Sequence, residues 1–293
     1  MRLRNNYLPS CLLLCCSLLL LFSSCGSSRK VIQQVAGGYP HLTKSQFIEL
    51  YSQKQDYPSI AARGRISFNI EFSESHFNLN NIGLRWYQSP GKGFELSIRP
   101  LGFMEAGRLT VASDTLLALD RFNKYYFLQK EARRMLSNQL PIPGIDPMIL
   151  QAMVENKPFN FVEIGPSALR RMEMKQTPEG YLFATQLRPG GNKIQLLFDT
   201  SLSLTLATII VPGKGELQVI YDRFVHLRMG QEMRPLPTLI EIEFKGNADQ
   251  YGFIRFDLQD MEEAKPRTWE VTPPTGYERV TLQDIYKMIQ SLQ

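Results

Sequence analysis

The chain has 293 residues, 33 Lys and Arg against 28 Asp and Glu, a formal net charge of +5 and 43% hydrophobic residues. The basic excess is mild and spread along the chain, and no basic run carries interleaved aromatics, so no nucleic-acid partner is expected. The length suits one large β domain or two small ones.

Residues 1–24 read as a targeting segment. Arg2 and Arg4 open it, Leu12 to Leu14 and Leu18 to Phe22 form its apolar core, and the small residues Ser23 and Ser24 precede Cys25. The run is short and interrupted by Cys15, Cys16 and Ser17, which argues against a spanning anchor. Leu21-Phe22-Ser23-Ser24-Cys25 resembles a bacterial lipobox, with Phe22 in place of the usual aliphatic residue. That resemblance implies cleavage before Cys25 and attachment of lipid, palmitate among its chains, to the sulfur and the new amino group. The alternative is a plain secretory signal that retains Cys25. Cys11, Cys15 and Cys16 leave with the signal, so the remaining chain has neither an intrachain disulfide nor a cysteine-based metal site. Gly26-Ser27-Ser28-Arg29-Lys30 carries no acidic cluster, unlike the surface-exported lipoproteins of the Bacteroides group. A lipid-anchored protein facing the periplasm is therefore expected, and the family resemblance below implies that its membrane is the outer one. The organisation expected is a signal peptide over 1–24, a lipidated tether over 25–42 and one domain over 43–293.

Thr43 and Gln46 have the spacing of a capping box, with Phe47, Leu50 and Tyr51 at helical spacing behind them, so 44–54 is predicted to be a helix. From Ile60 the apolar period becomes two: Ile60, Ala62, Gly64, Ile66, Phe68, Ile70 and Phe72 alternate with polar residues as one long half-buried strand. A second strand opens at Phe77 and Leu79. Its apolar phase shifts to Ile82, Leu84 and Trp86 across Asn80-Asn81, which predicts a bulge. Pro90 to Gly93 is a hairpin turn, and Phe94, Leu96 and Ile98 form a third strand.

The connection that follows, Arg99 to Glu105, departs from the rule that loops are polar. It holds Leu101, Phe103 and Met104, while Pro100 and Gly102 break any continuous strand. It reads as an apolar tip held out by a turn. A meander then continues through 107–112, 115–121 and 124–129. Two helices, 131–140 and 146–156, flank Pro141-Ile142-Pro143. Strands return at 168–176, 180–188, 193–199, 203–211, 215–226, 237–245 and 251–260. A short amphipathic helix after Thr281 closes the chain. The expected fold is mainly β with helices: a single antiparallel, strongly curved open β-barrel, or half-barrel, closed by short helices around an apolar cavity.

Residues for chemistry are sparse. His41, His76 and His226 are far apart and lack ligand-like neighbours. Gly165-Pro166-Ser167 is a turn rather than a nucleophile elbow, and Gly213-Lys214-Gly215 lacks the spacing of a P-loop. No catalytic residue, metal or cofactor is expected, and the protein is not read as an enzyme.

Three stretches resemble the LolB family of outer-membrane lipoprotein receptors. Ala62-Arg63-Gly64 opens a long strand, Trp86 lies in the next and Pro100-Leu101-Gly102 follows the third. Leu140-Pro141-Ile142-Pro143 precedes a helix. Leu236-Pro237 leads into Ile240, Ile242 and Phe244. The likeness runs over roughly 60–260 and extends to a group of uncharacterised Bacteroides-type lipoproteins. It implies a receptor that accepts the acyl chains of lipoproteins from a soluble LolA-like periplasmic carrier and delivers them to the outer membrane. The family's protruding leucine falls on Leu101, with Phe103 and Met104 as further candidates for membrane contact. Phe68, Ile70, Trp86, Leu96, Ile98 and Leu109 are the candidates for lining the cavity. Two other roles fit the same fold: a carrier or sensor of another lipid or glycolipid, or a structural lipoprotein that binds a protein partner through an edge strand. A packed interior favours the last.

Overall fold

A computed structural model describes residues 38–281 and Asp284, apart from 40, 54–57, 73–74, 113–114, 131–146, 230–231, 248–249, 268 and 270. The targeting segment, Cys25 and the tether to residue 37, the expected helix at 131–140 and most of the closing helix lie outside the described residues. The chain divides into two units, Met1–Val31 and Ile32–Gln293, and only the second holds described residues.

In that unit one sheet of 14 strands runs from edge to edge in the order β14-β6-β5-β4-β3-β2-β1-β13-β12-β11-β10-β9-β8-β7. The strands are β1 (Ile60–Phe72), β2 (Ser75–Ser89), β3 (Gly93–Arg99), β4 (Gly107–Ala112), β5 (Thr115–Asp120), β6 (Tyr125–Gln129) and β7 (Glu173–Thr177). They continue as β8 (Gly180–Gln186), β9 (Lys193–Phe198), β10 (Leu204–Val211), β11 (Gly215–Met229), β12 (Glu232–Gly246), β13 (Tyr251–Glu263) and β14 (Glu278–Arg279). Neighbours pair antiparallel except β14, which lies parallel to β6 through Glu278↔Tyr125 and Arg279↔Tyr126. The edge strands β7 and β14 do not pair with each other, so the sheet is curved but open.

The long alternating run from Ile60 forms β1, the strand that joins the two halves of the sheet. Gly64 sits where β1 meets β13: a Cβ there would lie 2.3 Å from the Asp257 carbonyl oxygen. Its lack of a side chain lets the backbones approach. The phase shift at Asn80-Asn81 is a β-bulge. Ile66 pairs with Ile82 but Phe68 with Leu79, leaving an extra residue on β2. Asn81 takes φ 64°, and its N–H is satisfied by Ser67 Oγ at 2.9 Å.

Helices fill the hollow of the sheet. Helix α1 (Lys44–Gln53) starts with the capping box: Gln46 Oε1 accepts from the Thr43 N–H at 2.9 Å. Its Phe47 ring packs 4.9–5.1 Å from the rings of Tyr181, Phe183 and Phe198. Helix α2 (Pro147–Val154) buries Ile149, Ala152, Met153 and Val154 in the same core.

Three elements differ from the sequence reading. Residues 168–176 are not one strand, because helix α3 (Pro166–Arg170) occupies the first half. Gly165 at φ 81° turns the chain, Pro166 starts the helix, and Ala168 and Leu169 are buried at helical spacing. Strand β12 begins five residues earlier than the expected 237 and carries Pro235 and Pro237. Both face only β11, since pairing with β13 starts at Leu239↔Asp257, so their missing N–H groups break no ladder on the open side. Strand β14 was not expected from the sequence. It ends a strap over the outer face of the sheet, where Trp269 packs 5.4 Å from the Tyr87 ring and the Arg267 guanidinium lies 4.2 Å over that ring.

The register defines two rims. One carries loops 100–106, 121–124, 187–192 and 212–214; the other carries turns 90–92, 178–179 and 199–203.

Candidate functional site: an apolar tip on one rim

Strands β3 and β4 hold out the loop between them. Gly102, at φ 74°, donates its N–H to the Arg99 carbonyl at 3.0 Å, and Phe103 donates to the Leu101 carbonyl at 2.8 Å. Arg99 Nη1 reaches back to the Phe103 carbonyl at 3.1 Å. These bonds close the loop on itself and turn its side chains outward. Leu101 is 61% exposed, Phe103 80% and Met104 38%.

Beneath the tip is a charged brace. Glu105 Oε1 accepts from Arg121 Nε at 2.6 Å and Arg108 Nε at 3.0 Å; its Oε2 accepts from Ser97 Oγ at 2.7 Å and Arg108 Nη2 at 2.9 Å. Arg99 Nη2 stands 3.7 Å from the same oxygen. Burial alone would raise the Glu105 pKa, but the hydrogen bonds from Arg108, Ser97 and Arg121 outweigh it and lower it to about 2. The carboxylate thus stays ionised at neutral pH and ties β3, β4 and the β5–β6 turn to the foot of the loop.

The inner face holds the residues marked as cavity-lining. Trp86 and Leu96 are buried in the core, and Phe68 and Leu109 pack against it half-buried. Ile70 and Ile98 are half-buried further along the same face, toward the rim of the tip. Trp86 meets the Phe256 ring at 5.3 Å and donates its indole N–H to Gln88 Oε1 at 3.1 Å. The end of α2 lies beside Trp86 across a shared cleft, while α1 packs on Tyr181, Phe183 and Phe198 in the other half of the sheet. The clefts beside the helices hold about 10 Å³ and about 40 Å³, well below the roughly 300 Å³ at which ligand pockets begin.

The C-terminal end of α2 is latched by polar contacts. Tyr221 Oη donates to the Met153 carbonyl at 2.8 Å, Glu155 Oε1 accepts from the Gly91 N–H at 3.0 Å, and Asn156 Nδ2 donates to the Leu204 carbonyl at 2.9 Å. The helix sequence is apolar apart from Gln151.

One residue beside the tip escaped sequence reasoning. Phe122, 59% exposed, projects from the β5–β6 turn on the same rim. Asp120 Oδ1 accepts from the Phe122 and Asn123 N–H groups at 2.9 and 3.0 Å and fixes that turn. The signal was the one that marked Leu101, an apolar residue inside a turn-forming Asp-Arg-Phe-Asn-Lys run. Leu187, 58% exposed, lies in another loop of this rim. Among the described residues no three His, Cys, Asp or Glu side chains gather to hold a metal ion, and no helix is long and apolar enough to cross a membrane.

No protein-family model and no curated protein sequence matches the chain. Solved structures do. A LolA superfamily protein from Nitrosomonas europaea is 11% identical, with a TM-score of 0.44 over 78% of this chain and 96% of that one. A DUF1329 family protein from Desulfovibrio piger is 8% identical, with a TM-score of 0.46 over 77% of this chain and 93% of that one. A domain from Vibrio parahaemolyticus named for outer membrane lipoprotein sorting is 8% identical, with a TM-score of 0.41 over 84% of this chain and 99% of that one.

Proposed function

We propose that this protein is a non-enzymatic, lipid-anchored receptor for acyl chains on the periplasmic face of the outer membrane. In this reading Cys25 carries the anchor. The hollow of the sheet accepts the acyl chains of a lipoprotein from a soluble LolA-like carrier, and the tip touches the membrane that receives them. The observation that carries the reading is the exposure of Leu101, Phe103 and Met104 on a loop held rigid by its own hydrogen bonds and by Glu105. Burying one such side chain is worth about 1.5–3 kcal/mol. That is too little to anchor a protein and a fitting size for a reversible contact. Since α1 and α2 pack into the core of the sheet, loading requires them to shift.

The test is transfer in vitro, with the full chain, a lipoprotein-loaded carrier and vesicles. Leu101→Glu should leave uptake from the carrier intact and stop delivery to vesicles. Normal delivery by that variant would remove the role of the tip.

A second reading has an observation of its own. Among the described residues α1 and α2 pack into the core and the clefts beside them are small, which favours a structural lipoprotein that binds a protein partner through an edge strand. The exposed edge β7 offers itself for that. Mass spectrometry of lipid co-purified with the protein separates the two readings, since a partner-binding protein would carry none. Lipid other than a lipoprotein's would instead favour a carrier or sensor of that lipid.

A further inference from the structure

The tip has a neighbour bonded to it. The Arg121 N–H donates to the Ala106 carbonyl at 2.9 Å, and the Arg121 side chain is held by Glu105, so the β3–β4 loop and the β5–β6 turn form one rigid head. Phe122 stands out from this head on the same rim as Leu101 and Phe103.

The charge on the head is sorted by depth. Its acids are spent inward: Glu105 is 10% exposed against the arginines and Glu95 is 18% exposed beside Arg108 and Arg267. Asp120 is committed to the backbone of the turn. Arg108 and Arg121, about one-third exposed, outnumber the Glu105 carboxylate they share, and Lys124 is exposed at the end of the turn. The adjoining strand β14 holds one acid, Glu278, and one base, Arg279, and so adds no net charge. Exposed apolar side chains ringed by outward positive charge match a bilayer surface that carries anionic headgroups.

We propose that the β5–β6 turn is a second lipid-facing prong: Phe122 enters the acyl layer beside the tip while Lys124 meets the phosphates of anionic lipid. This rests on the membrane-contact reading of the tip and extends it to a partner of defined chemistry. A single prong would allow the molecule to rock about its contact. Two prongs joined through Glu105 set the tilt of the sheet, and with it the direction in which the hollow opens.

The experiment uses the full chain in vesicles of phosphatidylcholine alone or with phosphatidylglycerol. An environment-sensitive fluorophore is placed on Phe122→Cys or, separately, on Phe103→Cys, and nitroxide-bearing lipid is the quencher. The expected result is quenching at both positions, stronger on the anionic vesicles. Adding Lys124→Gln should lower the engaged-to-lifted ratio on those vesicles about fivefold, since one basic residue near such a surface is worth about 1 kcal/mol. Quenching at 103 with none at 122 overturns the second prong and leaves the proposed function standing. Quenching at neither overturns both. Equal quenching on the two vesicle types overturns the headgroup contact. A label at 122 that is shielded only when the carrier is added assigns the turn to a protein instead.

Discussion

Arg121 Nε lies 2.6 Å from Glu105 Oε1, and that contact joins two loops of one rim that the chain separates by a whole strand pair. The Glu105 carboxylate also receives Arg108 and Ser97. Because its pKa is lowered to about 2 in the folded protein against 4.5 for the ordinary group, the folded state binds fewer protons between those values. The stabilisation is therefore fully present above pH 4.5 and is lost as the pH falls toward 2. Glu105→Gln should cost about 1.5–3 kcal/mol at pH 7, the size of a hydrogen bond to a charged group, and the difference from the parent should shrink below pH 4. Urea unfolding at a series of pH values measures this; a constant difference down to pH 3 would contradict it.

The latch on α2 makes its own prediction. Tyr221 is buried and its pKa is raised well above the ordinary value by burial, so its hydroxyl stays protonated and donates to Met153 throughout the working range. Tyr221→Phe should cost about 0.5–1.5 kcal/mol. Hydrogen exchange should quicken over 147–157 more than in β11 itself. If α2 must move for loading, the same variant should take up acyl chains faster.

Phe47 is the contact of α1 with the second half of the sheet, at 0% exposure among three aromatic rings. Phe47→Ala should destabilise the fold by about 3–5 kcal/mol, read from the midpoint of chemical unfolding. A cost below about 1 kcal/mol would mean that the helix collapses into the space without loss.

The tether faces a constraint of reach. The Tyr39 N–H donates to the Thr200 carbonyl at 2.6 Å, and the Tyr39 carbonyl accepts from Tyr181 Oη, so the described chain starts at the rim opposite the tip. With Cys25 as the anchor, the chain between it and Tyr39 extends at most about 50 Å at about 3.3–3.6 Å per residue. A strand as long as β2, with 15 residues, spans about as much. Deleting residues 27–36 should therefore stop the tip from reaching the membrane that holds the anchor. Labels at Phe103→Cys should then escape lipid quenching while the protein stays on the vesicles; unchanged quenching would refute the geometry.

Local patterns were legible wherever one side chain's choice is settled by its neighbours in sequence. The alternation from Ile60, the capping box at Thr43, the bulge at Asn80-Asn81 and the apolar residues of the 99–105 loop could all be read because period, cap and turn chemistry act within a few residues. Helix α3 was misread because Ala168 to Met172 carries too short an apolar run for its period to be told, and the burial of Leu169 in the core decided it. Strand β14 could not be read at all, since two residues form a strand only where β6 offers a free edge. The sequence by itself thus determined a curved antiparallel sheet and an apolar loop where a polar one belongs. Only the tertiary structure decided that Glu105 gathers Arg108 and Arg121 beneath that loop, that Phe122 stands beside it, and that α1 and α2 occupy the hollow. Those relations join residues whose meeting depends on sheet register and packing, and no local pattern in the chain encodes either.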